Sequence, residues 1–124
     1  MKSRILFGAL LAAAPLAAAG AMPVSTFLEK ATALQKKGPL ALFSGDVKLL
    51  MNQVKADAGQ LRAERVAAEA AKRPAAFCPP AGGVKLSDKE VMQAMQAVPA
   101  AQRPRTSTKD ALRVHMAARY PCKR

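Results

Sequence analysis

The side chains best suited to chemistry in this chain are Cys78, Cys122, the single histidine His115, eight carboxylates and a basic group at Arg103, Arg105, Lys109 and Arg113. Two cysteines 44 positions apart and one histidine do not make the four-ligand set that zinc takes, so no metal or other cofactor is expected. An even cysteine count in an exported chain favours pairing, and with two cysteines the only intramolecular pair is Cys78 with Cys122. Two free thiols or an intermolecular bond are the alternatives. The bridge would close a loop of about 45 residues, contributing roughly 4 kcal/mol on the disputed chain-entropy model.

A general base needs a nucleophile within reach and a group that orients it. No such constellation surrounds His115 in sequence, and it reads as a partly packed helix residue near Ala111 and Ala118. Glu29, Asp88, Glu90 and Asp110 fall at expected helix starts, where capping and the helix dipole account for them. Gly82-Gly83 lacks the Lys-Ser/Thr ending of a phosphate loop. The chain reads as a binding protein, with no catalytic residues. Its one suggestive charged feature is the Arg103, Arg105, Lys109 and Arg113 group, since arginine forks recognise carboxylates in a bidentate way. It is taken as a contact for an acidic partner, the alternative being a solvated surface.

These residues need a frame and a compartment. Met1 to Arg4 is a short basic stretch, Ile5 to Ala14 is uncharged and apolar, and Pro15 leads into the small residues Ala17 to Ala21. That order is a secretory signal. Cleavage is expected between Ala21 and Met22, with a second site two residues earlier, leaving a single domain over 22–124 in the periplasm or outside the cell. No later segment is long and apolar enough to span a membrane. The whole chain carries a net charge of +12, which falls to +10 without Lys2 and Arg4. Such a field attracts anionic partners, and export argues against nucleic acid. With no Trp, four Phe and one Tyr, the core must be built from Leu, Val, Met and Ala.

The periodicity predicts an all-α fold of four helices. The first, over 26–37, opens on the capping-box pattern of Thr26 and Glu29 and ends at Gly38-Pro39. The second, over 46–72, carries Val47, Leu50, Met51, Val54, Ala58 and Leu61 on one stripe of about 100°, then fades into a charged, exposed end over 62–73. The third, over 87–98, has a capping box of Ser87 and Glu90, with Leu86 stapled to Val91. The fourth, over 107–120, is capped by Ser107. The long stripe of the second helix exceeds what the short C-terminal helices need, which suggests a homodimer.

Phe77-Cys78-Pro79-Pro80, a Ser-capped amphipathic helix, Val98-Pro99, and a helix from Ala111-Leu112 ending Tyr120-Pro121-Cys122 together resemble the C-terminal half of the type VI amidase immunity family. The resemblance covers about 47 residues. Residues 22–73 lack the further cysteine and the Gly-Tyr segment typical of that family's first half. The resemblance implies a small periplasmic helical protein, often dimeric, that binds and blocks a peptidoglycan-cleaving amidase toxin. The matched residues are structural and transfer no toxin contact. Two other functions fit the same residues: a periplasmic chaperone or stress protein, and a binding module for an anionic envelope component.

Overall fold

The computed structural model describes residues 21–123. It is all-α: α1 (Val24–Lys37), α2 (Gly45–Ala70), α3 (Asp88–Gln96) and α4 (Thr108–Arg119), with two 3-10 helices, Gly38–Phe43 between α1 and α2 and Ala100–Arg105 between α3 and α4. The expected signal segment lies outside the described residues, apart from Ala21. Among the described residues no helix is long and apolar enough to cross a membrane.

Side-chain capping sets three helix starts. Ser44 accepts from the Asp46 amide, and Ser107 from the Asp110 amide. At α3, Ser87 and Glu90 form the full reciprocal box. The Thr26 cap does not form. The first helix starts two residues earlier, at Val24, behind Pro23 and without a side-chain cap. The reason is tertiary. The chain at 22–24 lies antiparallel to 106–108: Val24 N–H donates to Thr106 O and Thr108 N–H to Met22 O, both at 2.8 Å. A distant carbonyl thus takes the first amide of the helix, one of those without an intrahelical partner, and Thr26 falls inside the helix.

Gly38 ends α1 at a φ of +57°, in the left-handed region that glycine occupies at little cost. The Gly38-Pro39 break does not end helical structure altogether, because a 3-10 turn follows at once. At the far end of α2, Lys72 also has positive φ, and the Arg73 amide returns to Ala68 O.

The core joins Val24, Phe27 and Ala31 of α1, Leu50 and Leu61 of α2, Val91, Ala94 and Met95 of α3, Ala111, Leu112 and Met116 of α4, and Phe77 from the loop between α2 and α3. Of the face Val91, Ala94, Met95 and Val98 that the spacing predicts for this helix, α3 buries the first three, with Lys89, Gln93 and Gln96 exposed on the other side; the helix ends at Gln96, and Val98 beyond it is half-buried. Leu86 packs against the same core as Val91. The stripe of α2 differs from expectation. Met51 and Ala58 are exposed, and Gln53 and Asp57 are buried in line with Leu50 and Leu61. Asp57 takes its place there because α4 offers it a hydroxyl donor, as set out below. Beyond Leu61 the helix is mostly exposed, with Ala68 its last buried residue.

Cys78 and Cys122 are joined, their Cα atoms 4.9 Å apart. The Cys78 amide donates to Tyr120 O at 2.8 Å, so the loop after Phe77 is fastened to the end of α4 by a covalent and a hydrogen bond together.

Candidate functional site

The basic group expected to meet a partner divides once the helices are assembled. Arg103 turns back on its own chain: Nε donates to Val98 O at 2.8 Å and Nη2 to Gln96 O at 3.1 Å. It caps the C-terminal end of α3, where carbonyls lack helical partners. Lys109 and Arg113 lie one turn apart on α4 and reach across to α2. Lys109 Nζ donates to Glu64 Oε1 at 3.0 Å, and Arg113 Nη2 to Glu64 Oε2 at 2.9 Å. Arg113 also pairs with Asp110. These two donors hold the Glu64 carboxyl below the ordinary carboxylate value, and Glu64 in turn raises Arg113. Only Arg105 of the four is exposed with no hydrogen bond or ion pair among the described residues.

Next to this exposed seam lies a buried one. Asp57, 2 % exposed, accepts Gln53 Nε2 at 2.9 Å and the Thr108 hydroxyl at 2.6 Å. Thr108, fully buried, is the first residue of α4, so the carboxyl sits against that helix's N-terminal end, where negative charge is favoured. Burial still dominates and pushes the Asp57 carboxyl above the ordinary carboxylate value, against the opposing hydrogen bonds from Thr108 and Gln53. Pattern reading could not find this group, since it counts only apolar residues on a helix face. The available signal was the spacing of Gln53, Asp57 and Leu61, four apart each time and in register with Leu50.

His115 lies beside Glu90. Its Nε2 is 3.7 Å from Glu90 Oε1 and makes no hydrogen bond. Glu90 also pairs with Arg119, so the residue that caps α3 ties α3 to α4 as well. Among the described residues no three of His, Cys, Asp or Glu gather closely enough to hold a metal ion.

No family model, no curated protein and no solved structure matches the chain.

The surface left without intramolecular partners is elsewhere. The 3-10 turn Gly38–Phe43 buries none of its residues. Leu40, Leu42 and Phe43 are 71 %, 81 % and 88 % exposed. The two helices that this turn joins form, with α3, an apolar groove of about 450 Å³, lined by Phe27, Leu34, Val47, Leu50, Val54 and Met92 among others. Met51, half exposed, stands on its rim. The expected stripe of α2 is thus partly a groove wall, open to solvent.

Charge around the turn is one-sided. Residues 34–56 carry the bases Lys36, Lys37, Lys48 and Lys55 and a single carboxylate, Asp46, and Asp88 adds a second carboxylate at the groove. Asp46 is held by Lys30 at 3.5 Å.

Proposed function

We propose that the protein is an exported binding protein of the immunity type, which blocks an acidic secreted enzyme, in the first instance a cell-wall amidase, by docking on the Gly38–Phe43 turn and the groove beside it. The observation that carries the reading is the exposure of Leu40, Leu42 and Phe43 on one six-residue turn. Clustered exposed apolar side chains rimmed by charge mark interaction surfaces, and interface centres are enriched in aromatic anchors ringed by polar residues.

Three occupants compete for such a surface. A second copy of the chain would meet it through a two-fold axis, patch against patch. That arrangement brings Lys36, Lys37 and Lys48 of each copy toward those of the other, a like-charge cost that disfavours it. An anionic bilayer would accept the basic rim and the apolar tip, yet a flat lipid surface leaves the 450 Å³ concavity between α1, α2 and α3 unfilled. An acidic protein satisfies all three features: side chains for the groove, an apolar seat for the turn, and carboxylates for the lysines. The resemblance in the C-terminal half supplies the class of partner, and the lysines flanking the turn supply the expectation that its surface is acidic.

The test is inhibition. The purified domain is titrated against a secreted amidase encoded beside its gene, with peptidoglycan hydrolysis as the readout. Stoichiometric inhibition is expected, and the double variant Leu42→Asp, Phe43→Asp should weaken it by at least about a hundredfold, as loss of interface anchors does. Unimpaired hydrolysis at a molar excess of the wild type would remove the immunity reading. Equal inhibition by the double variant would move the contact to another face. Vesicles of anionic lipid and sedimentation of the free protein test the two competing occupants.

A further inference from the structure

A second concavity lies on the other half of α2. The wall on one side is α2 itself, from Ala58 to Arg65, and on the other the loop over residues 79–84, with Phe77 and Met116 also lining it. It encloses about 470 Å³, within the range of small-ligand sites. The loop wall is held in place. Cys78 is bonded to Cys122, its amide donates to Tyr120 O, and the Gly83 amide closes a turn onto Pro80 O at 3.0 Å. Gly83 has a φ of +81°, a conformation that glycine adopts at little cost.

The chemistry of the lining is unequal. Leu61, Phe77, Met116 and the prolines 79 and 80 make it apolar, and its only charged members are Arg62 and Arg65. No carboxylate lines it. The two arginines are three apart on a helix, hence on neighbouring positions of one side. Arg62 is exposed and has no hydrogen bond or ion pair among the described residues. Arg65 has one loose partner, Glu69 at 3.5 Å, and its Nε–H is shielded from solvent and donates to nothing. Because protein atoms enclose Nε, what Arg65 offers a ligand is its terminal Nη end, of which Nη1 is held only loosely by Glu69.

We propose that this pocket binds a carboxylate attached to an apolar body, the carboxylate on Arg65 and Arg62 and the body against Leu61, Phe77 and Met116. A carboxylate matches the planar fork in a bidentate way. Inorganic phosphate would meet the guanidiniums and leave the apolar walls uncovered. The same chemistry belongs to a free aromatic or branched acid and to the C-terminal residue of a peptide. The site is separate from the turn and groove of the proposed partner contact, so either can fail without the other.

Calorimetric titration of the full disulfide-bonded domain tests it, with N-acetyl-phenylalanine as the probe. Saturable binding of one equivalent is expected, and the uncharged N-acetyl-phenylalaninamide should bind at least about tenfold more weakly. Arg65→Gln and Arg62→Gln should each weaken the acid by about tenfold, whereas Arg105→Gln, a cation outside the pocket, should leave it unchanged. Arg62 is exposed, so its variant keeps the fold and serves as the test even where Arg65→Gln lowers the melting temperature. A short peptide ending in Phe that binds more tightly than the free acid assigns a peptide end; equal affinity assigns the small acid. Equal binding of acid and amide, competition by phosphate at equal concentration, an equal loss in Arg105→Gln, unchanged affinity in Arg62→Gln, or no saturation at millimolar probe would each overturn the proposal.

Discussion

Along the seam of α2 and α4, charged and polar groups find each other. Glu64 takes Lys109 and Arg113, and Asp57 takes Thr108 and Gln53. At the Gly38–Phe43 turn the reverse holds. Leu40, Leu42 and Phe43 stand in solvent, and the four lysines of residues 34–56 outnumber the one carboxylate of that stretch, Asp46. The seam is rich in ionic residues and largely satisfied from within; the turn is built from residues that normally fill cores and has no core to fill. Local density of a residue type is therefore a poor guide to what a surface offers. What counts is the balance left after the chain has folded on itself.

The first way to break the comparison is to loosen the far end of α4, the helix that carries one side of the seam. Replacing Cys78 and Cys122 by Ser should cost about 3–4 kcal/mol, the value for a loop of about 45 residues on the chain-entropy model. For a domain of roughly a hundred residues this lowers the melting temperature by well over 10 °C, measured by circular dichroism against the oxidised wild type. A drop of only a degree or two would mean that the hydrogen bond from the Cys78 amide to Tyr120 and the packing of Phe77 suffice to hold the loop.

Next in size is the buried polar group. Thr108→Val keeps the shape and removes one of the donors to a carboxyl that is 2 % exposed. The expected loss is about 1–3 kcal/mol by urea unfolding at pH 7. The pH dependence sharpens this. Burial raises the Asp57 carboxyl above its ordinary value of 3.8, so the folded state holds that proton more tightly than the unfolded chain does. Its contribution is then most favourable below pH 3.8 and is lost as pH rises through the raised value. Glu64 works in the opposite sense. Its carboxyl lies below the ordinary 4.5 because Arg113 and Lys109 donate to it, so its contribution is present above pH 4.5 and is lost as pH falls through the lowered value. Unfolding curves between pH 3 and 7 should show Asp57→Asn flattening the loss on raising pH, and Glu64→Gln flattening the loss on lowering it. The Glu64 effect should be the smaller, because its side chain is 46 % exposed and salt screens it.

How much of this was legible beforehand follows from the same contrast. The all-α fold, the Ser87 and Ser107 caps and the buried face of α3 are local matters of spacing and capping, and they read directly from residue types; the Cys78–Cys122 bridge, between residues 44 apart, followed from there being two cysteines and one possible pair. The start of α1 did not read so, because the helix begins at Val24, whose amide is met by Thr106 from the far side of the sequence. Asp57 did not, since a carboxylate on a buried face makes sense only once Thr108 is known to face it. The basic group at 103–113 was visible as composition, but its division was not. Whether an arginine is free depends on where Glu64 and the α3 carbonyls come to lie. The 38–43 turn was seen only as a break, although its sequence, Gly-Pro-Leu-Ala-Leu-Phe, is more apolar than a turn requires.

The smallest expected effect on stability is the most telling. Leu42→Asp and Phe43→Asp change residues that are 81 % and 88 % exposed and that bury nothing in the domain. Surface changes away from packing and capping sites fall within about 0.5 kcal/mol, so the melting temperature should stay within about 3 °C of the wild type. Added aspartates beside Lys36, Lys37 and Lys48 even relieve some like-charge repulsion. Arg113→Gln, on the seam, should cost more than either, because it takes a partner from Glu64 and from Asp110 together. If instead the turn variants are the costlier, these side chains pack against something in solution that the isolated chain lacks. A concentration-dependent melting temperature in the wild type, abolished by Phe43→Asp, would then identify a second copy as what covers the turn. A neutral result leaves the turn apolar for a reason outside the chain's own stability, which is the condition that partner binding requires.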